Sequence, residues 1–92
     1  MISYFVYLIK TRNKINNRFL TYVGYTNNLS RRIKLHNQGH GAKFTRGKQW
    51  KLIYYDEYKT KSEALKEEYK LKKNKKLRNF IKNSQNIEIN FD

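Results

Sequence analysis

Ninety-two residues without a cysteine leave room for a single core and exclude both disulfides and thiolate metal sites. Twenty-one Lys and Arg against seven Asp and Glu give a net charge of +14, a self-repelling field that points to a polyanionic partner. Nucleic acid fits better than a membrane surface, because the basic residues are interleaved with core positions instead of lining one amphipathic helix; a solvated Lys-rich surface is the plainer alternative. The chain has no apolar run of the ~20 residues that cross a bilayer. Its apolar N-terminus lacks the basic leader and small-residue cleavage site of a signal peptide, so a cytoplasmic location is expected.

Eight Tyr, five Phe and one Trp, with the Ile and Leu, supply the core of so short a chain. Residues 3–10 alternate and are rich in aromatic and β-branched types, which predicts a strand. Residues 11–18 are a polar connection with a turn signal at Asn16-Asn17, and 19–25 read as a second strand pairing with the first as a hairpin. Asn27 or Asn28 can cap a helix to about Gln38, with Gly39 past its end. Residues 39–48 hold three of the four glycines and read as a loop or irregular turn. Trp50 to Tyr58 is a third strand. Thr60-x-x-Glu63 has capping-box form and opens a helix to about Lys73. Residues 75–83 make a short final helix with Leu77, Phe80 and Ile81 on its apolar side. The order β-β-α-β-α-α gives an α+β fold, a three-stranded antiparallel sheet flanked by helices, in a domain spanning 1–83. The tail, 84–92, is either disordered or an edge strand.

On the helix opened by Thr60, Ala64, Leu65, Tyr69 and Leu71 define an apolar face at 100° per residue. Glu68 falls within it, Glu67 lies near its boundary, and Glu63, Lys66 and Lys70 lie opposite. A carboxylate on a buried face is costly unless it is paired or binds a metal. It is therefore either an internal salt bridge or a ligand for a hard divalent cation that also touches phosphate. On the preceding helix Leu29, Ile33 and His36 share a face that Arg32 flanks, while Arg31 and Lys34 point outward. Arg32 and His36 are one turn apart and can address one site. Taken singly, His36 reads as a hydrogen-bonded core histidine, Arg32 as a snorkelling side chain, and Tyr7 and Tyr22 as core strand tyrosines. No Ser/His/Asp constellation, phosphate loop or His pair at zinc spacing is present.

In order, these pieces resemble the GIY-YIG nuclease superfamily. The first motif stands as Phe5-Val6-Tyr7 and the second as Tyr22-Val23-Gly24. The helix Tyr25-Thr26-Asn27-Asn28-Leu29-Ser30-Arg31-Arg32-Ile33-Lys34-Leu35-His36-Asn37 follows. Next come Gly41-Ala42-Lys43-Phe44-Thr45-Arg46-Gly47, the strand Trp50–Tyr55 and the helix Ser62–Lys73. The resemblance spans residues 4 to 82 and is closest to small stand-alone bacterial members. It implies phosphodiester hydrolysis with one divalent metal, Mg²⁺ or Mn²⁺, held by Glu68. Arg32 would contact the scissile phosphate. Tyr7 and Tyr22 match the motif tyrosines, one of which deprotonates or positions the attacking water. His36 would be a proton relay or phosphate ligand.

The implied substrate is DNA that is branched, damaged or single-stranded, cut with weak sequence preference, as in repair or recombination. Lys43, Thr45, Arg46, Lys48, Lys72, Lys73, Lys75 and Lys76 would hold flanking phosphates without reading bases. A protein partner could supply specificity. The gap between Tyr7 and Tyr22 is longer than the family usually shows, because residues 11–18 extend the hairpin. Two other readings stand beside the nuclease: a non-catalytic nucleic-acid-binding module, and an accessory subunit of a larger nuclease.

Overall fold

The computed structural model describes residues 2–84. The expectation of a disordered or strand-forming tail concerns residues outside that range, Ser84 excepted, which ends the last helix. The elements are β1 (Tyr4–Thr11), β2 (Thr21–Thr26), α1 (Leu29–Asn37), β3 (Trp50–Tyr58), α2 (Lys61–Lys73) and α3 (Lys75–Ser84). The fold is α+β. All strand pairs are antiparallel, in the order β2-β1-β3.

The long hairpin closes on Asn16 and Asn17, with φ of 52° and 65°, a pair of left-handed residues of the kind that a tight two-residue turn requires. Ile15 and Arg18 on either side exchange both backbone hydrogen bonds. The second strand begins at Thr21 instead of residue 19. The Leu20 N–H goes to the Thr11 hydroxyl at 2.9 Å, a side-chain acceptor where a ladder would use a carbonyl.

Each helix boundary has a local cause. Asn28 caps α1, its side-chain oxygen accepting the Arg31 N–H at 3.2 Å. Gly39, at φ +81°, ends it: Gly39 N–H returns to His36 O and His40 N–H to Leu35 O. Thr60 caps α2 by accepting the Glu63 N–H and donating to the Glu63 carboxylate. Asn74 separates α2 from α3, its side chain accepting the Leu77 N–H at 3.1 Å.

Both faces of the sheet are covered. Val6 and Leu8 of β1 join Val23 and Ile53, under Ala64 and Leu71 of α2 and Ile81 of α3. Tyr7 and Ile9 point the other way, packing with Trp50, Leu52 and Leu29 of α1. The helical apolar faces are narrower than composition suggests. Ala64 and Leu71 are buried, but Leu65 and Tyr69 are exposed, Tyr69 at 62%. Seven residues bring Leu71 back to Ala64's azimuth, whereas Leu65 and Tyr69 project about 100° and 140° away from it. On α3 only Ile81 is buried; Phe80 is 67% exposed and Leu77 is also on the surface.

Candidate active site

Strand register creates the centre of the site. Tyr7 lies opposite Gly24, and a Cβ on Gly24 would stand 2.3 Å from the Tyr7 hydroxyl, so the ring occupies the space that a side chain would take. Tyr7 Oη and His36 Nε2 are 2.7 Å apart, and His36 Nδ1 is 2.8 Å from Thr45 Oγ1. The proton inventory fixes the directions. The single Thr45 hydroxyl proton goes to Ala42 O at 2.9 Å, so His36 Nδ1 carries a proton and donates to Thr45. Nε2 is then a lone pair that accepts the Tyr7 O–H. Thr45 also accepts the Ala42 N–H, and the Trp50 indole donates to Thr45 O. A Cβ on Gly41 would stand 2.2 Å from His36 Nδ1, so this glycine makes room for the imidazole.

Burial sets the protonation states. Tyr7 is pushed up to about 12 by desolvation. The Arg32 guanidinium beside it favours the phenolate, while Tyr22 and Glu68 disfavour it. His36 is pulled down to about 4, by desolvation first and by Arg32 second. At neutral pH the resting pair is thus a neutral phenol donating to a neutral imidazole.

Three further groups surround the pair. Arg32 Nε is buried with no hydrogen-bond partner. The same residue lines an open cleft of about 470 Å³ with Tyr4, Tyr25, Thr26, Asn27 and Lys61. A buried donor without an acceptor costs about 1–3 kcal/mol, and an anionic oxygen would satisfy it. Tyr22 packs edge-on against His36, with ring centroids 5.3 Å apart, and stacks on Phe44 at 6.2 Å. The Glu68 side chain is only 16% exposed, and Lys72 Nζ lies 3.5 Å from its carboxylate. Both readings of Glu68 therefore keep a physical basis: it has a salt-bridge partner, but a loose one on a half-exposed lysine.

Residues 3–82 match the family model described as the GIY-YIG catalytic domain. The chain belongs to the GIY-YIG family. This is a family of nucleases that generally use divalent metals, with DNA as substrate. Small bacterial proteins are close in sequence. A UPF0213 protein of Staphylococcus aureus is 42% identical over 82 residues, covering 85% of this chain and 94% of that one. A UPF0213 protein of Clostridium perfringens is 44% identical over 70 residues, covering 75% and 70%. The solution NMR structure of a UPF0213 protein from Bacillus halodurans is 30% identical, covers 92% of this chain and 88% of its own, and superposes with a TM-score of 0.48.

Within this GIY-YIG domain, Tyr7, Arg32, Tyr22, His36 and Glu68 come from β1, α1, β2, α1 and α2 and interact through the Tyr7 phenol or the His36 ring. The surface residues divide differently from expectation. Lys43, Arg46, Lys72, Lys73, Lys75 and Lys76 are exposed, and Lys48 rests against Phe44, its ammonium on the Phe44 carbonyl and over the ring. Thr45 corrects the sequence reading: it is fully buried and its hydroxyl is committed to His36 and Ala42, so it positions the imidazole and does not face phosphate. Sequence reasoning did not single out Gly24 and Gly41. Their signal is the missing Cβ opposite a functional ring, which only register and loop path reveal.

No group of three or more His, Cys, Asp or Glu forms a metal site among the described residues. His36 has both nitrogens engaged. One half-buried carboxylate nevertheless fits a hard cation such as Mg²⁺, which keeps several waters and takes one or two carboxylates together with substrate phosphate. No helix among the described residues is long and apolar enough to cross a membrane.

Proposed function

We propose that this GIY-YIG domain is a metal-dependent endonuclease that hydrolyses DNA phosphodiester bonds, selective for DNA structure or single strands more than for sequence, of the kind used in repair or recombination. The observation that carries the reading is the buried, partnerless Arg32 Nε beside the Tyr7–His36 hydrogen bond, at the wall of an open cleft. A phosphate oxygen is the acceptor that Arg32 Nε lacks, and the guanidinium would stabilise the charge that develops as water adds to phosphorus.

Tyr7 would orient that water. Its O–H points to His36 and the Arg32 guanidinium faces its oxygen, which leaves one phenolic lone pair to accept a proton from the nucleophile as its own proton passes to Nε2. Thr45 holds the imidazole in the tautomer that this transfer needs. Tyr22 walls one side of the His36 ring. Glu68 would hold the divalent cation, Mg²⁺ or Mn²⁺, whose chemistry when bound is Lewis-acid stabilisation of the phosphate and the leaving oxygen. The Glu68–Lys72 pair is the observation that favours the second reading, a nucleic-acid-binding module or accessory subunit without turnover.

The test is cleavage of labelled single-stranded, duplex and branched DNA with Mg²⁺ or Mn²⁺, comparing wild type with folded Glu68→Gln and Arg32→Ala. Wild type should nick in a metal-dependent way and Glu68→Gln should not. Arg32→Ala should lose about 10²–10³ in rate while keeping most of its DNA affinity, because many other cations remain. Tight, salt-sensitive binding by wild type with no cleavage of any substrate would select the second reading.

A further inference from the structure

A second concave surface lies outside the Tyr7–His36 centre, along the start of the edge strand β2. It is an open groove of about 330 Å³ whose lining includes Arg18 and Phe19 from the long hairpin, Phe44 from the glycine-rich loop, and Lys75, Arg78 and Lys82 from α3. None of its lining residues is acidic. The acidic residues of the described chain, Asp56, Glu57, Glu63, Glu67 and Glu68, all lie on β3 and α2. The groove thus concentrates positive charge with nothing opposite it. Next to it, Lys10 donates to Lys82 O at 3.0 Å, and burial first, then the Lys51 and Lys82 charges, lower the Lys10 ammonium from the ordinary lysine value.

The rings give the surface its second chemistry. Phe44 is 48% exposed and Phe19 half-buried. Lysines lie over both: Lys10 and Lys14 over Phe19, at 4.5 and 5.9 Å, and Lys48 over Phe44 at 5.3 Å. A cation resting on a solvent-exposed ring is held less strongly than a nucleobase stacked on one. Lys14 and Lys48 can therefore move onto phosphates and uncover the rings to bases. Duplex DNA hides its base faces in the stack and offers such rings nothing; an unpaired strand offers a π-face at every nucleotide.

We propose that this groove binds an unpaired nucleic-acid strand, with bases on Phe19 and Phe44 and phosphates on Arg18, Lys75 and Lys82, while Arg78, whose guanidinium donates to the Leu71 and Lys72 carbonyls, adds positive charge to the wall. Phe44 stacks on Tyr22, which in turn touches His36, so the groove starts one ring away from the reactive centre. A strand held here runs on from the cleavage position. The extended hairpin gains a role, since it carries Arg18 and leads into Phe19. The proposal rests on the reading of this chain as a nucleic-acid enzyme, and its test is a binding measurement that needs no turnover.

Labelled oligo-dT of about 12 nucleotides, within the site sizes of single-strand binders, is titrated in EDTA against wild type, Phe19→Leu and the triple variant Arg18→Gln/Lys75→Gln/Lys82→Gln. A duplex of equal length and heparin serve as competitors. Phe19→Leu keeps the apolar bulk and should weaken oligo-dT binding roughly tenfold, with duplex and heparin unaffected. The triple variant removes only exposed or half-exposed charge, so it should stay folded. Its log–log salt slope for oligo-dT should flatten by about 2, at ~0.7 per phosphate contact. Unchanged oligo-dT affinity in both variants overturns the proposal. So does an equal loss for oligo-dT, duplex and heparin, which would mark a diffuse basic surface. A wild type that binds strands through this groove but never cleaves would overturn only the nuclease reading; an active nuclease indifferent to both variants would overturn only the groove.

Discussion

The two faces of the sheet are built from alternate residues of one strand and obey different rules. Val6 and Leu8 enter a layer closed by Val23, Ile53, Ala64, Leu71 and Ile81, whose buried members are all aliphatic, with Tyr4, Tyr25, Tyr54 and Tyr58 packed against its margin. Tyr7, between them in sequence, enters the opposite layer and carries a hydroxyl into a buried chain through His36 and Thr45 to the Ala42 carbonyl. The first face tolerates any side chain of the right volume; the second requires the Tyr7, His36 and Thr45 donors to meet their acceptors, because a buried polar group left unpaired is costly. Stability should therefore concentrate in the aliphatic layer, and pH sensitivity in the layer that holds Tyr7 and His36.

The largest effect should come from the aliphatic face. Leu8→Ala, at a position with no exposed surface, should lower the unfolding free energy by about 2–5 kcal/mol. Urea denaturation measures it, and the loss should be the same at pH 5 and pH 8, because the buried members of that layer carry no titrating group and burial pushes the Tyr54 and Tyr58 phenols at its margin upward, away from this range. A loss below about 1 kcal/mol would mean that the layer collapses around the cavity and is not close-packed.

Next in size is the pH dependence of the polar face. His36 titrates at about 4 in the folded protein against 6.5 for an ordinary imidazole, so the unfolded chain takes up its proton first. The stability it confers is complete above pH 6.5 and is lost as pH falls toward 4, by a total on the order of 3 kcal/mol. His36→Gln should flatten that part of the stability–pH curve. A wild-type curve level from pH 7 to 4.5 would show that the imidazole is not buried neutral.

Gly24→Ala should have the smallest effect on stability and the most local one. The new methyl must displace the Tyr7 ring, at a cost of about 1–3 kcal/mol. With Tyr7 moved, water should reach His36, and its pKa, followed by NMR, should rise from about 4 toward 6.5. An unchanged His36 titration in a folded Gly24→Ala protein would break the link between the glycine and the relay.

Much of the architecture is written in local pattern. Alternation marks β1 and the run Leu52-Ile53-Tyr54-Tyr55 marks β3; Asn28, Gly39 and Thr60 mark helix ends; the spacing of Glu68 from Ala64 and Leu71 places it toward the sheet. These features depend on the 2.0 and 3.6 periods and on hydrogen bonds that reach three or four residues, so the chain itself encodes them. Resemblance of the short motifs, in order, brought Tyr7, Tyr22, Arg32, His36 and Glu68 into one group.

Other features have no local signature. Leu65, Tyr69 and Phe80 are apolar by type but face solvent, since packing and not composition decides which arc of a helix meets the sheet. The loop sequence places Thr45 among the phosphate-holding residues, yet the path of residues 41–47 turns it inward beneath His36. Tyr7 and His36 are 29 residues apart, and only the register of β1 on β2 and the docking of α1 bring Oη to Nε2. The basic groove is tertiary in the same sense: Arg18, Phe44 and Lys82 come from three separate segments. Sequence by itself determined which elements form and, the bounds of β2 apart, nearly where they end, because those are short-range interactions. Tertiary structure alone decided which atoms converge, because a buried hydrogen bond or a stacked ring depends on positions that only the assembled sheet and helices fix.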